Sequence, residues 1–128
     1  MSGGGTEPVQ FFERLPDELH TSVMALRQTP GRKRPDRISL EVKALAYGLD
    51  LARRAQRWEK ADVDRYSGSS LHSVRFTVPA DLLKEIEEVA ARHDLHRRLV
   101  TITALHYGFT DPLSPVAAYS GRSKRHAS

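Results

Sequence analysis

Polar and apolar residues alternate over residues 73–78, and this alternation is the clearest local pattern in the sequence. Val74, Phe76 and Val78 are apolar and would share one face, with polar residues between them. A period of two with β-branched and aromatic residues predicts a half-buried strand. Pro79 follows at once and is expected to end the strand, because proline cannot donate to a sheet ladder but fits the first turn of a helix.

Two helices are predicted after this strand. Over residues 80–93, apolar side chains recur at helical spacing with charged ones between them, which is typical of an amphipathic helix. Asp94-Leu95-His96 interrupts the pattern, and a second helix is predicted over residues 97–107 that is apolar almost all round. A helix without a polar face must be buried. Gly108 is expected to cap its C-terminal end.

The same order of patterns occurs earlier in the chain. Residues 44–49 (ALAYGL) match residues 104–109 (ALHYGF) at a spacing of 60, and residues 15–19 correspond to residues 78–82 at a spacing of 63. The three extra residues of the first copy fall in a Pro/Gly turn, 29–35, that is filled with cations. The agreement of strand, proline, helix, turn and helix predicts a diverged internal duplication.

The first copy would begin with a poorer strand over residues 9–14, in which Glu13 falls on the inner face. One strand with two helices leaves both strand edges open and an apolar helix uncovered, so each copy needs a partner. Two copies would pair their strands into an antiparallel ribbon with four helices beneath it. Pairing within one chain gives a monomeric pseudo-dimer, and pairing between chains gives a homodimer; the sequence leaves both open.

The predicted organisation has five parts. They are a disordered arm (1–8), a first, diverged copy (9–52), a helical extension and linker (53–72), a second copy (73–113) and a flexible basic tail (114–128). The arm and the end of the linker are rich in Ser and Gly, and the tail is small, polar and basic.

Composition narrows the class of protein. The 128 residues include no cysteine, which excludes a disulfide scaffold, thiol catalysis and a Cys-ligated zinc site. No apolar run approaches the ~20 residues that span a bilayer, and the start of the chain lacks the pattern of a secretory signal. We therefore expect a cytoplasmic protein without membrane contact. The net charge is only +4, but the bases gather at the two turns between helices.

With its order of strand, helix, turn and helix, the segment 73–109 resembles the ribbon-helix-helix DNA-binding proteins of the MetJ/Arc superfamily. Within that superfamily it resembles plasmid copy-number repressors most. The whole chain resembles the tandem duplicated members found among conjugative-plasmid accessory factors. It departs from the family at Asp94, where a Gly is usual, and at His96-Arg97-Arg98, where a Ser or Thr usually begins the second helix.

The resemblance implies a mainly α fold with a two-stranded antiparallel ribbon. It implies sequence-specific binding of double-stranded DNA, as a transcriptional repressor or as a plasmid or phage accessory factor in a relaxosome or in partition.

A two-stranded ribbon fits the major groove, so its outward side chains would meet base edges. Aligning Leu15 with Val78 assigns six residues to that outer face: Gln10, Phe12 and Arg14 from the first copy, and Ser73, Arg75 and Thr77 from the second. Arginine can bond guanine in a bidentate manner, and glutamine can read adenine. Because the two half-ribbons differ, the DNA site need not be a palindrome. The alternative for Arg75 is a solvated strand residue with no DNA partner.

The resemblance also implies phosphate contacts at the N-terminus of each second helix, where free N–H groups and the helix dipole favour an anion. The basic residues at these equivalent positions are His96, Arg97 and Arg98 in the second copy, and Arg32, Lys33, Arg34 and Arg37 in the first. The alternative for each cluster is a solvated turn.

Other chemistry is weakly represented. His93 and His96 have a metal-like spacing, but they span a helix boundary without nearby Asp or Cys, so we expect no metal site. No catalytic triad, phosphate-binding Gly loop or paired carboxylate stands out, so neither an enzyme nor a cofactor is expected. The competing function is an antitoxin-type or other protein-interaction module, in which the flexible tail folds onto a protein partner. Against it, the tail has few large apolar anchors, Val116 and Tyr119.

Overall fold

The computed structural model describes residues 7–28, 34–55 and 70–116, with residues 34–39 described by their backbone alone. In chain order, the elements are β1 (Pro8–Pro16), α1 (Asp17–Arg27), α2 (Arg34–Ala55), β2 (Leu71–Pro79), α3 (Ala80–His93) and α4 (Arg97–Thr110). The fold is mainly helical with one two-stranded antiparallel sheet, as the sequence predicts. No helix in these ranges is long and apolar enough to cross a membrane.

The two strands pair with each other within one chain. The ladder runs from Pro8 opposite Pro79 to Pro16 opposite Leu71. Both predicted strands are confirmed, and each is longer than predicted by residues at its ends. The inner face of this ribbon packs on the helices, and at its centre the Phe11 and Phe76 rings stack with centroids 5.4 Å apart.

Proline sets the boundary between strand and helix in both halves of the chain. Pro16 and Pro79 are extended, with ψ of 156° and 144°, and α1 and α3 begin at the next residue. Neither helix has a side-chain cap, but Asp17 and Asp81 lie in the first turns, where a negative charge complements the helix dipole. No loop separates either strand from its helix, so the position of each strand fixes where the following helix begins.

The turn between α3 and α4 is closed by an aspartate in place of a glycine. Asp94 has φ 56° and ψ 49°, a left-handed conformation that Asp and Asn adopt more readily than most residues. The N–H of Leu95 donates to the Ala90 carbonyl at 2.8 Å, and the N–H of Asp94 donates to Ala91 at 3.3 Å. This is the Schellman pattern, so the helix ends cleanly without the usual glycine.

Helices α2 and α4 cross at two glycines and make the most extensive helix–helix contact in the described fold. Gly48 of α2 rests on the backbone of Ala104, and Gly108 of α4 rests on the backbone of Ala44. The prediction that Gly108 caps a helix ending at Tyr107 is wrong, because α4 continues to Thr110. Gly108 lies inside the helix, where the absence of a Cβ allows the close approach of α2.

The core extends beyond the last helix. α4 is buried almost all round, as its composition predicts, with residues 100–106 all buried. Ser114 and Val116 are buried too, and the Ser114 hydroxyl donates to the Gly108 carbonyl. The predicted tail 114–128 therefore begins with packed residues, and the folded part reaches at least Val116.

Several predicted segments fall partly outside the described ranges. The helical extension predicted to follow residue 52 is observed as far as Ala55. Residues 1–6 of the arm, 56–69 of the linker and 117–128 of the tail lie outside the described residues.

Candidate nucleic-acid interface

The outer face of the ribbon brings together the six residues assigned to base contacts. The facing pairs on this side are Gln10 with Thr77, Phe12 with Arg75, and Arg14 with Ser73. Five of the six are exposed and Thr77 is half-buried, and the Phe12 side chain is 60% exposed. The alternation of the two strands and their pairing therefore place all six side chains on one surface.

This outer face carries positive charge. Arg14 and Arg75 both lie on it, and the only acidic residue within the two strands, Glu13, is directed to the inner face and is 7% exposed. A narrow two-stranded surface with two guanidinium groups, an amide and two hydroxyls offers both donors and acceptors to the edges of base pairs.

Glu13 is held inside the fold by a polar network. Arg97 Nε donates to Glu13 Oε1 at 2.9 Å, and the Thr101 hydroxyl donates to the same oxygen at 3.2 Å. The Arg97 guanidinium also lies 5.0 Å from the centroid of the Phe11 ring. Arg97, which the sequence assigns to DNA phosphate, thus has Nε directed inward to a buried carboxylate.

Two arginines bind the backbone at the centre of the ribbon. Arg97 Nη2 donates to the Phe12 carbonyl at 2.9 Å, and Arg27 Nη2 donates to the Arg75 carbonyl at 2.8 Å. Phe12 and Arg75 face each other, so the central pair is fixed through its backbone on both strands. Because two guanidinium groups hold the backbone of this pair, its outward side chains would need little further ordering if they bound a partner.

Arg27 is itself held by a carboxylate. Its guanidinium forms an ion pair with Glu41 of α2, and this hydrogen bond raises the pKa of Arg27 above its ordinary value. The role of Arg27 has no signature in the local sequence, because its ribbon partner is 48 residues away.

The N-terminus of α4 is open and basic. Its N-cap residue His96 is extended and makes no side-chain cap hydrogen bond, and the first turn contains no acid. His96 and Arg98 are exposed. A groove connects this helix end to the side of the ribbon; its lining residues are Phe12, Glu13, Arg14, Ser73, Glu87, Ala90, His96, Arg97 and Arg98. An anion in this groove would meet the helix dipole together with the side chains of His96 and Arg98.

The first basic cluster is described only in part. Arg32 and Lys33 lie outside the described residues, and Arg34 and Arg37 are on the first turn of α2 with their side chains not described. The backbone position of Arg34 and Arg37 at a helix N-terminus agrees with the predicted location.

The structure also shows a cluster of titratable side chains that sequence reasoning missed. In the described ranges, the one group with three potential metal ligands close together is Asp17, His20 and His72. It does not include the His93 and His96 pair. His72 comes from a strand 52 residues beyond His20, so no local spacing indicates the cluster.

Comparisons with known proteins do not add to this geometry: no family model matches the sequence, and neither a curated protein nor a solved structure shows significant similarity to it.

Proposed function

We propose that this protein binds double-stranded DNA in a sequence-specific manner, with the outer face of the ribbon in the major groove. The observation that carries the proposal is the assembly of Gln10, Phe12, Arg14, Ser73, Arg75 and Thr77 on one acid-free ribbon face. Arg27 and Arg97 each donate a hydrogen bond to a backbone carbonyl at the centre of the ribbon. A surface of this width and chemistry suits base edges better than it suits a small molecule.

We further propose that the chain is a tandem ribbon-helix-helix protein in which one polypeptide supplies both strands. Phe12 and Arg75 are 63 residues apart, the offset of the strand repeat, and they face each other in the ladder. In a ribbon with two-fold symmetry, the residue beside the axis faces its own equivalent. The ladder register thus supports the duplication.

The crossing of α2 and α4 supports it independently. Gly48 contacts Ala104, and Gly108 contacts Ala44; each residue has its equivalent 60 positions away. Such reciprocal contacts are typical of an interface between two copies related by a two-fold axis. The six-residue sequence match therefore coincides with the place where the helices touch.

Phosphate binding is proposed at the N-terminus of α4, through its backbone N–H groups, Arg98 and His96. The groove between this helix end and the ribbon would place a DNA backbone beside the inserted strands. In the cell, such a protein would act as a repressor or as a plasmid or phage accessory factor. A tail-mediated antitoxin role is disfavoured because Val116, one of the two large apolar residues of the tail, is packed in the core.

The proposal is tested by selecting duplexes from a random DNA library with the full chain and sequencing those that are retained. We expect an enriched motif of a few base pairs, with unlike halves, because the two strands present different side chains. Retained duplexes should bind in a fluorescence anisotropy titration with a clear preference over a scrambled sequence. Enrichment of no motif, with equal affinity for all duplexes, would contradict sequence-specific binding.

Arg75→Ala is expected to weaken binding to the selected duplex by about 1–3 kcal/mol, because a bidentate guanine contact is worth roughly that amount. Preference at one base position should be lost at the same time. Lys84→Ala is the matched control, since it removes one exposed cation that belongs to α3 and not to the ribbon strands. Equal losses in the two variants would show that Arg75 contributes only charge.

Arg98→Ala is expected to weaken binding to selected and scrambled duplexes alike. Plotted as the logarithm of affinity against the logarithm of salt concentration, its slope should become less steep by about 0.9, the contribution of one phosphate contact. Lys84→Ala should leave the slope unchanged. A change in base preference on Arg98→Ala, with the slope retained, would contradict the phosphate assignment.

A further inference from the structure

Asp17, His20 and His72 form a compact cluster at one end of the ribbon. Asp17 is the first residue of α1, His20 lies one turn further on, and His72 is the second residue of β2. His72 Nε2 lies 3.0 Å from Asp17 Oδ1, and the two imidazole rings stack with centroids 4.4 Å apart and planes 16° apart. The potential ligand atoms of the three residues all lie within 4.8 Å of one another.

The fold explains why these residues meet. Asp17 and His20 are three positions apart on a helix, so their side chains share one face. Pro16, the residue before α1, is opposite Leu71 in the ladder, so the start of α1 lies beside the start of β2. The cluster thus joins two segments that are more than 50 residues apart in sequence.

The chemistry of these donors is that of a transition-metal site. Two imidazoles and one carboxylate, without thiolate, are ligands suited to Zn²⁺, Cu²⁺ and Ni²⁺. Metal bonds of about 2.0–2.2 Å place the ligand atoms of a tetrahedral site about 3.3–3.6 Å apart. The His72–Asp17 pair at 3.0 Å is already that close, and any wider separation, up to 4.8 Å, requires the stacked rings to turn toward a common point. The side chains of His72 and Asp17 are 37% and 65% exposed, so they have room to turn.

We propose that Asp17, His20 and His72 bind a divalent transition metal ion, which bridges α1 and β2 and leaves its remaining positions to water. The site is separate from the proposed DNA surface. His72 faces Leu15 in the ladder and alternates with the outward Ser73, so the cluster lies on the helix side of the ribbon. Metal binding would then stabilise the ribbon end without covering the outer face.

The test is titration of the full chain with zinc chloride in a calorimeter, with cobalt chloride as a spectroscopic probe. We expect one bound ion per chain, a visible cobalt spectrum with nitrogen ligation, and a melting temperature that rises with metal concentration. His72→Ala should weaken zinc binding at least about tenfold, because even the loss of a residue that only orients a metal ligand costs about that much. Asp17→Asn, which keeps the shape of the side chain, should also weaken it.

The matched control is the double variant His93→Ala/His96→Ala, which removes the other histidine pair and leaves the cluster intact. Its zinc affinity and cobalt spectrum should equal those of the unmodified chain. Equal zinc affinity in the unmodified chain and in His20→Ala/His72→Ala would overturn the proposal, and so would loss of binding in the control alone. Circular dichroism of each metal-free variant verifies folding, and His20→Gln replaces His72→Ala if the latter does not fold.

Discussion

Replacing Gly48 by alanine is expected to destabilise the fold by about 3 kcal/mol, the upper end of the range for overpacking a core. A Cβ at this position would lie 2.6 Å from the Ala104 carbonyl carbon, closer than real Cβ atoms come to other atoms. The obstacle is backbone inside the crossing of α2 and α4, so a side-chain rotation cannot relieve it. At Gly108 the corresponding distance, to the Ala44 carbonyl carbon, is 2.9 Å, and the loss should be smaller.

The sign of the change in stability distinguishes a Gly48 that is packed at the helix crossing from one that affects stability only through helix propensity. In an exposed helix, Gly→Ala stabilises by about 1 kcal/mol, so an unpacked Gly48 would gain stability. The control is Ala46→Val on the exposed face of α2, which adds bulk two residues away and should cost only about 0.5 kcal/mol. Urea denaturation followed by circular dichroism measures all three variants. A Gly48→Ala protein as stable as the original would disprove the close approach of the helices.

Local periodicity was sufficient to predict the strand and the helix whose hydrophobic pattern is set by residues close together in the sequence. The alternation over 73–78 predicted β2, and the helical spacing over 80–93 predicted α3 with the bounds that the structure has. The outer face could be predicted because a strand exposes every second residue and the repeat aligned Leu15 with Val78.

What the sequence could not predict depends on contacts between distant segments. In the sequence, Gly108 follows the last predicted residue of a helix, as a C-terminal cap would. Only the approach of Ala44 from α2 shows that it belongs inside the helix. In the sequence, Arg97 belongs to a basic turn, which predicts a contact with phosphate. Its observed partner, Glu13, is 84 residues away and could not be predicted from that turn. The inward position of Glu13 was predicted from alternation, whereas the cation and hydroxyl that satisfy it were not.

Arg97→Met is expected to cost about 3 kcal/mol of stability, the lower end of the range for breaking a buried ion pair, because it leaves the buried carboxylate of Glu13 without its cation. Glu13 is 7% exposed, and in the strand repeat it occupies the position of the fully buried Phe76. Glu13→Leu should cost less, about 1 kcal/mol, because the Arg97 side chain is 36% exposed and remains partly solvated. Arg97→Met should therefore be the less stable of the two single variants, because it leaves the more deeply buried charge unpaired.

The double variant Glu13→Leu/Arg97→Met completes the cycle. Apolar replacement of both members of a buried pair is often neutral or stabilising, so we expect stability within about 1 kcal/mol of the original chain. Arg53→Met is the matched control, since it breaks the Arg53–Glu85 pair at 3.3 Å, whose side chains are 43% and 48% exposed, and should cost about 0.5 kcal/mol. Urea denaturation of the original chain, the two single variants and the double variant gives the coupling energy, and Arg53→Met is measured beside them. A double variant as unstable as Arg97→Met would show that Arg97 stabilises the fold through the Phe12 carbonyl and the Phe11 ring and not through Glu13.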